Sequence, residues 1–98
     1  VALYADDAVV EDPVGSEPKR GIEAIRAFYA GSVALKLEVA LAGEVRCVGH
    51  ECAFAFDVSF THAGQRTTIR PIDTMRFDEA GRIVQMRAYF GPGNIHPG

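Results

Sequence analysis

The sequence predicts an α+β domain, an antiparallel meander with one helix packed against it. Three observations carry this. The stretches 51–60, 67–77 and 83–90 alternate apolar and polar residues with a period of two, as half-buried strands do. Turn signals separate them: His62-Ala63-Gly64-Gln65, then Asp78-Glu79-Ala80-Gly81, with glycine where a positive φ is needed. Only the stretch from Ile22 to Val33 shifts to a helical period.

Taken in order, Val1 to Tyr4 read as the last turn of a helix with no start signal before it. Ala8-Val9-Val10-Glu11-Asp12 is a short strand, and Pro13 forces Asp12 into an extended conformation. Residues 14–21 are a loop by their proline and glycine content. In the helix, Ile22, Ile25, Phe28, Tyr29, Ser32 and Val33 share one stripe, and Gly31 marks a frayed end. Leu37, Val39 and Leu41 then alternate with polar or small residues. Val45 and Cys47 continue that face, so Gly43 marks a bulge or sharp bend. Cys52, Phe54, Phe56, Val58 and Phe60 share one face of the next strand. From Thr67 to Phe77 the apolar face carries Thr67, Ile69, Pro71, Asp73, Met75 and Phe77. The last strand puts Val84, Met86, Ala88 and Phe90 on one face and Ile83, Gln85, Arg87 and Tyr89 on the other. Gly91-Pro92-Gly93-Asn94 ends the regular structure. These faces carry more apolar bulk than one short helix can cover. A second helix, a sheet curled around an apolar ligand, or both would account for that.

Composition excludes several classes of function. A chain of 98 residues makes one domain, and 48% hydrophobic with 23% charged residues excludes disorder. The net charge is −3, and the ten Lys and Arg are scattered apart from Lys19-Arg20. That leaves no footprint for nucleic acid or an anionic membrane. No apolar run approaches the ~20 residues of a membrane span. The N-terminus has no basic region and turns acidic at Asp6-Asp7, unlike a signal peptide, so a cytoplasmic location is expected. Cys47 and Cys52 flank a turn and could face each other; two cysteines make no disulfide framework, and they read as reduced thiols. His50, His62 and His96 show no ligand spacing, so no metal site is expected.

Two acids are candidates for chemistry. Asp73 interrupts an apolar face, where an ionised carboxylate is costly. It is paired with an arginine, caps a buried backbone group, or stays protonated as a hydrogen-bond donor. Asp12, before proline at a strand-to-loop junction, has either a turn role or a chemical one.

The run from Tyr4 through Glu11-Asp12-Pro13-Val14-Gly15 to Pro18 closely resembles bacterial ketosteroid isomerases (steroid delta-isomerases). The resemblance continues through Ala24-Ile25-Arg26-Ala27-Phe28-Tyr29, Ala53-Phe54-Ala55-Phe56, Pro71-Ile72-Asp73, Met86-Arg87-Ala88 and Asn94-Ile95-His96. It implies a single domain over residues 1–98 with the strongly curved, cone-shaped sheet of nuclear-transport-factor-like folds. The helix would pack on the concave side, and the protein would be a homodimer. By position, Asp12 corresponds to the general base and Asp73 to a protonated oxyanion-hole donor. This family is a standard worked case of carboxyl pKa values driven apart, so those roles rest on the resemblance. Val14, Tyr29, Phe56, Val58, Phe60, Met75, Met86, Ala88 and Phe90 would contact a steroid. Family members also carry further N-terminal helix with a tyrosine as the second oxyanion donor. The chain is therefore expected to be truncated at its N-terminus. Tyr4 and Tyr29 correspond to positions supporting that tyrosine; their plainer reading is as core aromatics. The implied reaction moves a double bond into conjugation with a steroid ketone through a dienolate, with no metal or organic cofactor. The alternative is a non-catalytic binder of flat apolar ligands. A third reading is another enzyme task, such as hydration, cyclisation or epoxide opening, on the same fold.

Overall fold

The computed structural model describes residues 3–33 and 36–97. In chain order these form β1 (Tyr4–Glu11), β2 (Lys19–Arg20), α1 (Ile22–Val33), β3 (Glu38–Leu41), β4 (Arg46–Val48), β5 (Glu51–His62), β6 (Gln65–Ile69), β7 (Ile72–Phe77) and β8 (Ile83–Tyr89). A 3-10 turn, Pro92–Asn94, leads into β9 (Ile95–Pro97). Val1 and Ala2, assigned from sequence to a helical turn, lie outside the described residues, as do the side chains of Ser32 and Val33 on the helical stripe.

The long strand β5 organises the sheet. It pairs with β3 and β4 along one edge and with β6 and β7 along the other, always antiparallel. The strand expected from Thr67 to Phe77 is interrupted at Arg70-Pro71, yet the register against β5 is the same on both sides of the break. Proline has no N–H for the ladder, and its carbonyl still accepts from the Phe56 N–H at 3.3 Å. Asp73 therefore keeps the face its alternation assigned. On the opposite edge, residues 42–45 face only residues 54–55. That bulge sits at Gly43, whose φ of +136° is open essentially to glycine alone. Two breaks opposite the same strand curl the sheet into an unclosed, strongly curved form with α1 on its concave side.

Several expectations are corrected. The sheet is mixed, because β1 joins β8 in parallel; alternation identifies a strand but not the direction of its partner. Tyr4 opens that strand, opposite Ile83, rather than closing a helix. Regular structure continues past Asn94, since β9 adds to the free edge of β6. Ile83, assigned to the outer face, is buried. The β7–β8 register shifts between Arg76 and Phe77, and a one-residue slip moves a side chain to the other face. Cys47 and Cys52 form a disulfide rather than two free thiols. They are directly opposed one pair before the two-residue turn Gly49-His50, where an antiparallel hairpin brings side chains closest.

The core is small and lies at the helix end of the curve. Ala8, Val10, Ile25, Ile83, Met86 and Ala88 are buried together, with Tyr4, Phe28, Tyr29, Met75, Phe77 and Phe90 packed around them. Ile25 is fully buried, so truncating it to alanine would cost ~2–5 kcal/mol. Beyond this core the concave face is left open.

Candidate active site

The open concave face encloses a cavity of about 470 Å³, within the size range of small-molecule sites. Its lining is Asp12, Phe28, Tyr29, Leu37, Val39, Phe56, Val58, Phe60, Ile69, Pro71, Asp73, Met86, Ala88 and Phe90. Only Asp12, Tyr29 and Asp73 bring side-chain polar atoms, and no lysine or arginine is among these residues.

Each polar group reaches the cavity for a local reason. Asp73, second residue of β7, lies between Phe54 of β5 and Ala88 of β8, on the inner face that Pro71 and Met75 share. It is 7% exposed, and its Oδ1 has no hydrogen-bond partner among the described residues. The arginine pairing that its sequence context allowed is not made: Arg70 faces outward and pairs with Asp57 at 3.8 Å. Burial, with the nearby charge of Asp12 adding to it, pushes the Asp73 carboxyl up to about 7. Asp12 follows β1, whose Ala8 and Val10 point inward, so the next residue of that parity also faces the cavity. Burial raises its pKa as well. The charge of Asp12, once formed, opposes ionisation of Asp73.

Tyr29 stands one helical turn from Ile25 and beside Phe28, with their rings edge-to-face at 5.3 Å. Its hydroxyl hydrogen-bonds the Tyr4 hydroxyl at 3.0 Å, and burial holds both phenols above their ordinary pKa. The Asp12 loop is pinned by the Val14 N–H donating to the Ala88 carbonyl at 2.8 Å and by the Ser16 N–H and hydroxyl donating to the Pro13 carbonyl.

Of the sequence-expected contacts, Tyr29, Phe56, Val58, Phe60, Met86, Ala88 and Phe90 line the cavity. Val14 instead ties the loop, and Met75 packs around the core. Phe28, Leu37, Val39, Ile69 and Pro71 also line it without having been singled out. All five lie on apolar stripes or faces read from the sequence, so their signal was present. Leu37 and Val39 remain 36% and 62% exposed, an apolar mouth open to water.

Residues 1–86 match the family model described as a SnoaL-like domain. The chain belongs to that family. Within it, this SnoaL-like domain is 43% identical over 94 residues to a steroid delta-isomerase of Nocardioides simplex, covering 96% of this chain and 76% of that protein; it is a ketosteroid isomerase-like member. Among solved structures it superposes on RV0760c from Mycobacterium tuberculosis with a TM-score of 0.87 at 30% identity, covering 99% of this chain and 80% of the other. It also superposes on SalBIII, an epoxide hydrolase/cyclase-like enzyme of pyran ring formation in polyether salinomycin, with a TM-score of 0.92 over 99% and 79% of the two chains. At 23% identity that likeness concerns the fold alone. The relationship to the steroid delta-isomerase supports an enzyme acting on a small molecule. Among the described residues no cluster of His, Cys, Asp or Glu could hold a metal ion, and no helix is long and apolar enough to cross a membrane.

Proposed function

We propose that the protein isomerises unsaturated ketosteroids by moving a carbon–carbon double bond into conjugation with the ketone. The observation that carries this reading is that two carboxyl groups share one apolar cavity whose lining includes no lysine or arginine, with Asp73 Oδ1 unpartnered among the described residues. Their different environments favour an ionised Asp12 and a protonated Asp73.

Asp12 accepts the proton from the carbon between the ketone and the double bond. The C–H electron pair enters the π system, the carbonyl becomes an enolate oxygen, and Asp12 becomes the neutral acid. Asp73 donates a hydrogen bond to that oxygen and keeps its proton. The bond strengthens as charge develops, which lowers the barrier in a water-poor site. Asp12 then returns the proton to the far carbon of the dienolate. The ketone is the electron sink, so no cofactor enters the balance. The apolar walls from Phe56 to Phe60 suit a flat hydrocarbon skeleton, and Tyr29 supports the oxyanion end.

The test is direct. The purified protein should convert a β,γ-unsaturated 3-ketosteroid with a rise in conjugated-enone absorbance in the ultraviolet. Steroid binding without any rise would overturn the reading in favour of a binding protein. For the homodimer, the supporting feature is the outer sheet face. There Ile72 and Tyr89 are cross-strand neighbours, 48% and 43% exposed. Sedimentation showing a monomer at micromolar concentration would overturn it.

A further inference from the structure

Glu11, the neighbour of Asp12 in sequence, is held at both ends of its carboxylate. Glu11 ends β1 with its side chain on the outer face, opposite in parity to Asp12, and both of its carboxylate oxygens are engaged. Oε1 accepts from Arg87 Nε at 2.9 Å, directly across the parallel β1–β8 pair. Oε2 accepts from the Gly15 N–H at 2.8 Å, four residues ahead. The second bond closes Asp12-Pro13-Val14 into a ring whose ends Glu11 holds. The first fixes that ring to the strand carrying Ala88 and Met86, two walls of the cavity. Gly15 has a φ of +97°, so the chain reverses there in a conformation glycine favours and presents its N–H back to Glu11. Arg87 is held from its other side, with Nη1 donating to the Tyr89 hydroxyl at 2.9 Å.

An exposed ion pair alone would contribute little. Here one carboxylate joins a charge-assisted bond to a backbone N–H with a cross-strand arginine pair, and its side chain is 21% exposed. Charge-assisted bonds are shorter and stronger than neutral ones. Both hold the same three-residue loop.

We infer that Glu11, anchored by Arg87, is a positioning residue that holds the Asp12 loop so that one carboxylate can reach both the carbon it deprotonates and the carbon it reprotonates. This rests on the isomerase reading above. A base serving two carbons needs a fixed hinge, because small misplacements of a reacting group can cost as much as about a hundredfold in rate. The site distinguishes this from general stabilisation. Glu11 touches neither the cavity nor Asp73, so its loss should leave the oxyanion end as it is.

The experiment compares the wild type with Glu11→Gln and Glu11→Ala. For each, turnover, KM, the affinity for a phenolic steroid, and the isotope effect with substrate deuterated at the abstracted position are measured. Glu11→Ala should lower kcat by about ten- to a hundredfold, with KM and phenol affinity within about twofold. Its primary isotope effect should rise as proton transfer becomes more limiting. Glu11→Gln keeps an oxygen facing the Gly15 N–H and should recover part of the loss. It also decides the matter if the alanine variant does not fold. Glu23→Gln, on the exposed face of α1, serves as the control for charge removal. Wild-type turnover with unchanged kcat in the glutamine and alanine variants would overturn the role of Glu11 alone. Parallel losses of kcat and phenol affinity would overturn it in favour of a structural role. Absence of turnover in the wild type would overturn the isomerase reading and this inference together.

Discussion

The two faces of the curved sheet treat the same chemical groups in opposite ways. On the outer face, three acids have arginine partners: Asp57 with Arg70 at 3.8 Å, Glu38 with Arg66 at 2.6 Å and Glu11 with Arg87 at 2.9 Å. On the inner face, Asp12 and Asp73 share an apolar cavity whose lining includes no lysine or arginine. Asp57 on β5 and Asp73 on β7 belong to the same strand pair and differ chiefly in which way the pleat turns them. A carboxylate facing water can remain charged and gain a modest ion pair. One facing the cavity is shifted toward its protonated form, because desolvation penalises the charged form. In the proposed mechanism, the more strongly shifted Asp73 is the neutral donor and Asp12 is the acid that ionises.

The contrast can be broken at several points. The largest effect is expected from Asp12→Asn, which preserves shape but cannot accept a proton. Turnover in the enone assay should fall by about a hundredfold or more while steroid binding is kept. Retention of more than about a tenth of wild-type turnover would mean the base lies elsewhere. Next comes Asp73→Ala, which should raise the barrier by ~2–4 kcal/mol, the usual worth of one oxyanion donor. Asp73→Asn should lose less, since an amide still donates.

The pH dependence follows from the same pair. Activity needs Asp12 ionised and Asp73 protonated. kcat/KM should therefore rise as Asp12 loses its proton and fall again through about 7, as Asp73 does. Stability has a definite sign as well. Because the folded-state pKa of Asp73 is raised, the native state binds more protons than the unfolded chain between the ordinary aspartate value and about 7. Its contribution is fully present below that ordinary value and is lost as pH rises through the folded pKa, by up to ~1.4 kcal/mol per pH unit. Denaturant titrations of wild type and Asp73→Asn should diverge over this window, the variant showing the flatter profile. The smallest effect is expected outside: Arg70→Met, breaking the Asp57 pair, should change stability by under ~1 kcal/mol and leave turnover unchanged.

Much of this division was legible in the sequence. The period-two pattern assigned Asp73 to the apolar face, and it survived the break at Pro71 because the register did. Asp73 stood out from that pattern alone, whereas Asp12 needed the resemblance to weigh a chemical role above the ordinary turn role of an Asp before proline. The parallel partner of β1, the slip that buries Ile83 and the disulfide were not legible as such. Strand direction, bulges and cross-strand contact depend on partners distant in the chain, which local periodicity does not encode. The double hydrogen bonding of Glu11 was hidden for the same reason, because Arg87 lies 76 residues away in sequence.

The most direct test of the account is the carboxyl titration of Asp73 in the ligand-free protein, followed by carbon-13 NMR of labelled aspartate and assigned with Asp73→Asn. The account predicts that Asp73 titrates near 7, after Asp12 has already ionised. A value close to the ~3.9 of an unperturbed aspartate would mean an ionised carboxylate at neutral pH, unable to donate to an enolate, and would contradict the proposed mechanism.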